Sequence, residues 1–325
     1  MAEQMNMTEL YAKGLEGLRT AGYERSLPPD AAMGTPLKVN RAYLDSLFFT
    51  PRFLSTVEAD CSTTILGTPV KVPMFCGPMA GWNQLSETAL EESCRGLKAA
   101  GGMMTLGIGG SDDVQKAVDT GVPVAKIVKP YRDTDLIFKK LEDAERRGCV
   151  AVGMDTDHCL GRLVGDVVGL TDTFGPQTDE TMREAIAHTN LPFIIKGVLG
   201  VDDARKAVDL GAKAIIVSNH GMASLEAGTP AVVALPEVVG AVGHQIEVYV
   251  DTGFKTGNDI VKALAMGAKA VGFANSILLA WGAGREDGVR QFVELLGAEM
   301  RRTMSALGCA DCPSLVDVHL QRIAI

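Results

Sequence analysis

The chain has 325 residues, of which 46% are hydrophobic and 22% charged, a balance that supplies a large apolar core and sets aside a disordered or fibrous chain. A formal net charge of −9 argues against a nucleic-acid partner and leaves room only for a local basic site. No run of 18 or more apolar residues occurs, and residues 1–20 lack a basic segment followed by an apolar core, so neither a membrane span nor a secretory leader is expected.

Seven scattered cysteines, several in apolar runs, fit free thiols in a reducing cytoplasm. Cys309 and Cys312 form a lone C-x-x-C without the further ligands that structural zinc needs, so no metal is expected.

Residues 7–21 read as a surface helix that Pro28-Pro29 breaks, and 30–60 as an irregular approach segment. Residues 63–67 and 68–72 read as a hairpin able to plug one end of a barrel. Apolar runs then alternate with amphipathic stretches. Strands are expected at 72–77, 102–107, 123–128, 149–154, 192–196, 214–218, 246–250 and 269–273. Helices are expected at 86–100, 111–120, 134–147, 178–188, 201–210, 231–242, 256–266 and 285–307.

A repeat supports the alternation. Asp113 to Gly121, Asp203 to Gly211 and Asp259 to Gly267 share the pattern D-x-x-K-A-[VL]-x-x-G. In each copy an acid lies near a helix start and a glycine at its end. Eight strand–helix alternations, three of them carrying this repeat, predict an α/β fold, a (β/α)8 TIM barrel, with an N-terminal helical extension. The expected division is an N-terminal helix and approach segment over 1–60 and a barrel over 61–325.

In this architecture chemistry gathers at the carboxyl ends of the strands. Those ends read Gly77-Pro78-Met79-Ala80, Leu106-Gly107, Lys126 to Lys129, Asp155-Thr156-Asp157-His158, Lys196, Ser218-Asn219-His220-Gly221, Asp251-Thr252-Gly253-Phe254-Lys255 and Phe273-Ala274-Asn275. Strand interiors carry Val, Ile, Ala and Met instead. Titratable groups such as Lys196 and His220 at the ends of buried strands are costly unless used or paired. The last two turns each lead into a helix start, a place where backbone N–H groups hold phosphate, with Lys255 as a nearby point charge.

At Ile195-Lys196-Gly197-Val198, Val217-Ser218-Asn219-His220-Gly221, Asp251-x-Gly253 and Lys262 to Ala268, the sequence resembles the FMN-dependent 2-hydroxy-acid oxidase and dehydrogenase family, which includes glycolate and lactate oxidases. Thr63 to Gly67 and Leu160-Gly161-Arg162 match as well, and the likeness spans roughly residues 45–320.

The resemblance implies FMN as cofactor and oxidation of a small 2-hydroxy acid or related hydroxylated substrate, with hydride passing to flavin N5. It implies His220 as the base, Asp155 or Asp157 as the acid that steadies its imidazolium, and Lys196 beside flavin N1 and C2=O. It further implies flavin contacts from Pro78, Met79, Ala80, Gly107, Lys126, Ser218 and Gly221. Asp251, Gly253, Lys255, Ala274 and Asn275 would hold ribityl and phosphate. His158 and Arg162 are the candidate substrate contacts, with Lys129 as a further cation. A small-molecule substrate and a homo-oligomer, tetramer or octamer, are also implied.

The chain departs from the family where arginines are expected. Ala223 and Cys159 stand at the substrate-carboxylate positions and Asn275 at the phosphate position, and the family's N-terminal tyrosine motif has no counterpart in residues 7–30. Two other readings keep the flavin barrel. One is chemistry of the type 2 isopentenyl diphosphate isomerase kind; the other is a flavin-binding protein without catalysis.

Overall fold

The computed structural model describes residues 5–23, 35–160, 173–222, 225 and 227–323. Helix α1 (Met7–Thr20) opens on a capping box in which Asn6 and Glu9 satisfy each other's backbone N–H. Helix α2 (Thr35–Asp45) follows, then the short strand β1 (Leu47–Phe49) and the hairpin β2 (Thr63–Ile65) and β3 (Thr68–Val70). The segment expected to be irregular thus contains a helix. It is fixed from outside its own sequence: Arg41 forms a fork onto Asp259, and Asn40 accepts from Val232 N.

Eight strands then close a barrel: β4 (Met74–Met79), β5 (Met103–Leu106), β6 (Val124–Val128), β7 (Ala151–Asp155), β8 (Phe193–Val198), β9 (Ala214–Val217), β10 (Glu247–Val250) and β11 (Ala270–Phe273). Each pairs in parallel with its neighbour in sequence, and β11 returns to β4. Between them run α3 (Ala89–Ala100), α4 (Ser111–Asp119), α5 (Thr134–Arg146), α6 (Asp179–Ala187), α7 (Val201–Leu210), α8 (Ala231–Val242) and α9 (Gly257–Ala265). Helix α10 (Asn275–Leu307) and strand β12 (Leu320–Arg322) complete the chain, and β12 pairs with β1.

Each glycine of the repeat, Gly121, Gly211 and Gly267, has a positive φ at a helix end. That left-handed turn is nearly free for glycine and returns the chain to the next strand. Helix α10 begins ten residues before the expected helix and bends at Gly284 and Arg285, where the dihedrals leave the helical region.

Side-chain alternation along the strands sorts two cores. Phe75, Met103, Ala125, Ile127, Ala151, Ile194, Ala214, Ile216, Tyr249 and Ala270 fill the barrel, and Ile65 and Val70 of the hairpin join them as the expected plug. The alternate residues face the helices in a second, larger core. Helix α1 lies along α10 at backbone distance. A Cβ on Gly14 would sit 2.1 Å from Leu279 O, and one on Gly17 would sit 2.0 Å from Gly282 O.

Candidate active site

Alternation also decides which polar groups reach the barrel mouth. On β7, Ala151 faces the barrel interior, so Asp155 does as well, and on β8 Ile194 places Lys196 there. On β9 the inward series ends at Ser218, which is buried and accepts from His220 N.

The strand ends are shaped to present these groups. His220 has φ 53° and Thr252 has φ 76°, each followed by a glycine that is also left-handed. Backbone strain of this kind persists where the surroundings hold it, and it gathers at functional sites. The β8–β9 register also shifts between Lys196 and Val198.

Lys196 Nζ lies 3.0 Å from Asp155 Oδ1, 3.5 Å from Asp157 Oδ2 and 2.9 Å from His220 Nδ1. His220 Nδ1 is 3.1 Å from Asp157 Oδ1 and 3.3 Å from Asp155 Oδ1. Asp155 and Asp157 both face Nδ1 and favour a proton there against the nearby Lys196 ammonium, which leaves Nε2 as the acceptor. Both expected acids therefore serve His220.

Burial alone would raise Asp155, but Lys196, His220 and Lys129 surround it and hold it well below the usual carboxylate range. Burial raises Asp157, Lys196 only partly opposes this, and the charge on Asp155 adds to it. Burial works against the charge on Lys196, yet Asp155, Asp157 and Asp251 outweigh it and its pKa rises. Burial and Lys196 likewise oppose protonation of His220, while the two carboxylates favour it and prevail.

Asp155, Asp157, His158 and His220 bring donor atoms within 4.8 Å of one another. With two ammonium groups already on Asp155, the set is an ion-pair network in its chemistry.

His158 is buried edge-on against His220, with ring centroids 4.2 Å apart, and also meets Phe174. Burial, Lys129 and His220 push its pKa down to about 3, so it is neutral and packs behind the base. Lys129 Nζ lies 2.5 Å from Asp155 Oδ2 with both groups buried, so this cation is tied to the acid. Arg162 and Ala223 lie outside the described residues.

Lys126 is not brought to this site. Ala125 and Ile127 face the barrel interior, so Lys126 points the other way, among charges of α4 and α5, and donates to Gly107 O. A one-residue step along a strand changes the face, and apolar periodicity alone did not fix the phase of β6.

The other half of the mouth is lined by small residues. Gly77 lies against Ala274, where an added Cβ would come to 3.2 Å. The two helix starts beyond it differ. The start of α9 is closed by side chains: Thr256 caps it, Asp259 accepts from Lys255 N and Thr256 N, and Gly257 N donates to Glu299 of α10. The start of α10, at Ala274-Asn275, has no side-chain cap and offers free N–H groups to an anion. Lys255 is exposed nearby in the chain's β10–α9 turn. An uncapped helix start, small residues at the strand ends and a buried ammonium suit a planar cofactor with a phosphate tail, and the site fits FMN.

Two contributors had no signal in the sequence. Tyr11 of α1 donates to Lys255 O and accepts from Ser276 Oγ, bridging the β10–α9 turn and the first turn of α10. Arg41 of α2 donates to Gly253 O as well as to Asp259. Their partners lie more than 200 residues away in the chain.

A barrel with a lysine, two acids and a histidine at its mouth, beside an open helix start, is an arrangement suited to a flavin oxidoreductase. The FMN-dependent dehydrogenase family model matches residues 28–163 and 170–322, and the chain belongs to that family, the FMN-dependent 2-hydroxy-acid oxidases and dehydrogenases.

Glycolate oxidase 1 of Oryza sativa subsp. indica is 30% identical over 320 residues, covering 87% of each chain. The 4-hydroxymandelate oxidase of Amycolatopsis orientalis is 31% identical over 307 residues, covering 84% of this chain and 86% of its own. A crystal structure of mandelate oxidase with benzoyl-formic acid superposes with a TM-score of 0.90 at 29% identity, covering 98% of this chain and 99% of the other.

Proposed function

We propose that this flavoenzyme oxidises a small 2-hydroxy acid, or a related 2-hydroxy compound, with His220 as the base. The carrying observation is His220 itself, held in a left-handed turn with Nδ1 against two buried carboxylates. That arrangement leaves Nε2 to accept a proton and stabilises the imidazolium once formed. FMN, when bound, supplies the hydride acceptor. Lys196 favours negative charge on the cofactor, and the strand-end backbone at Pro78, Met79, Ala80 and Gly107 offers it a surface. Ser218, Gly221, Asp251 and Gly253 would border it, and Lys255, Ala274 and Asn275 would receive its phosphate.

Lys129 is occupied by Asp155, and Cys159 stands where the family has an arginine, whose planar fork pairs with carboxylate. A variant of mandelate oxidase with arginine replaced by leucine has been crystallised with 2-hydroxy-phenylacetamide, an uncharged relative of a hydroxy acid. Uncharged 2-hydroxy amides therefore belong beside glycolate and mandelate as substrates of this chain.

The proposal extends to a cytoplasmic homo-oligomer, a tetramer or octamer. Exposed Phe48, Phe53, Leu54 and Val316 support association, and free cysteines support a reducing compartment.

The test is a visible spectrum followed by anaerobic mixing with glycolate, mandelate and 2-hydroxy-phenylacetamide. The proposal expects a yellow protein that at least one of the three bleaches. A colourless protein that takes up no added FMN, or a yellow one that none of them bleaches, contradicts it.

A further inference from the structure

The two acids beside His220 are unequal. Asp155 is enclosed, and both of its oxygens are taken by ammonium groups. Asp157 meets a single ammonium, Lys196 Nζ at 3.5 Å from its Oδ2. Its Oδ1 faces His220 Nδ1 at 3.1 Å inside the barrel mouth. The same residue lines a cleft of about 330 Å³ outside the barrel wall, between α6 and α7, with Thr156, Gly197, Met182, Asp203 and Lys206. The cleft reaches the surface at the ion pair of Lys206 and Asp179, whose side chains are 51% and 57% exposed.

The wall is thin here for a local reason. Asp157 lies over β8 at Gly197, where an added Cβ would fall 2.6 Å from Asp157 Cβ. Gly197 has φ 103°, and the β8–β9 pairing shifts register across it. A bulge with glycine at its centre therefore brings Asp157 against the wall that separates the mouth from the outer cleft.

We propose that Asp157 is a proton relay, carrying the proton released at His220 through the barrel wall into the α6–α7 cleft. The inference rests on the reading of His220 as base. The substrate hydroxyl gives its proton to His220 Nε2. The Nδ1 proton then passes to Asp157 Oδ1, and Asp157 hands a proton to water in the cleft. One proton enters the imidazole and one leaves it, with no change in electron count. A route through the side wall serves a site whose mouth is covered by cofactor and substrate.

The charged groups around His220 fit this direction. Lys196 on β8, Lys129 after β6 and Asp251 after β10 surround the two acids. They leave Asp155 fixed as a carboxylate, while Asp157 has a raised proton affinity and can hold a proton in passing. His158, whose pKa is pushed down to about 3, binds a proton too weakly to compete. At the outer end, Asp179, Asp203 and Lys206 line the exit.

The test uses the flavin-loaded enzyme, anaerobic, in weak buffer with a pH-indicator dye, mixed with whichever of glycolate, mandelate or 2-hydroxy-phenylacetamide bleaches it. Wild type should release a proton in step with bleaching. Asp157→Asn should delay that release by tenfold or more relative to bleaching. Asp157→Glu should restore most of it, and formate, small enough to enter the cleft, should rescue Asp157→Ala.

A second readout needs no substrate: exchange of the His220 Nδ1 proton with water, followed by ¹⁵N NMR, should slow in Asp157→Asn. Release and exchange at wild-type rates in Asp157→Asn would overturn the relay. The His220→Ala variant separates the two claims. If it bleaches normally, the base assignment fails and the relay with it; if it does not, wild-type release in Asp157→Asn removes the relay alone.

Discussion

At the amino-terminal end of the barrel, Ile65 and Val70 close over Phe75, Met103 and Tyr249 in an apolar layer; at the carboxyl end, β7, β8 and β9 present Asp155, Lys196 and Ser218. Strand β8 carries both characters within three residues, Ile194 in the core and Lys196 at the mouth. Apolar burial at the closed end contributes stability without direction. The buried charges at the open end are costly to desolvate and hold together only as a mutually paired set. The closed end can thus be altered for stability alone, whereas a change at the open end alters stability and chemistry together.

The largest stability effect is expected from breaking the charged end. Asp155→Leu leaves Lys196 and Lys129 buried without their shared partner, a loss of about 3–5 kcal/mol. Denaturant unfolding of flavin-loaded protein measures it, and an unchanged midpoint would contradict the network. Ile65→Ala at the plug should lose about 2–4 kcal/mol while flavin uptake and its spectrum stay as in wild type. Altered flavin affinity in that variant would show that the two ends are coupled.

Arg41→Ala removes a fork onto buried Asp259 from a side chain that is 24% exposed. The expected loss is about 1–2 kcal/mol, with weaker flavin affinity because Arg41 also holds Gly253 O.

The smallest effect is a slope. His158 has its pKa lowered from 6.5 to about 3 in the folded chain. Between those values the unfolded chain carries a proton on His158 that the folded chain does not, so stability falls as pH drops from 6.5 toward 3. His158→Asn should flatten the fall in melting temperature below pH 6.5. A slope identical to wild type would mean that His158 is not buried neutral.

The barrel was legible because the helix-to-strand device repeats in fixed register and the apolar runs end in chemistry. Lys196, His220 and the two acids were legible for the same reason, as charges where a buried strand stops. Three features were not. Lys126 and Lys129 share one stretch, and only the phase of β6 shows that Lys129 faces the acids while Lys126 faces the helices. Helix α2 was hidden because it is fixed by Asp259 and Val232, far along the chain. Tyr11 looked like a surface residue until α1 was laid on α10 through Gly14 and Gly17.

The central claim is that the charged end is a proton-accepting site built around His220. Anaerobic rapid mixing of flavin-loaded His220→Ala with a substrate that bleaches wild type tests it most directly. Flavin should remain bound, and bleaching should slow by roughly 10²–10⁴-fold, the usual range for loss of a general base. Bleaching at the wild-type rate, with flavin bound, would contradict the account.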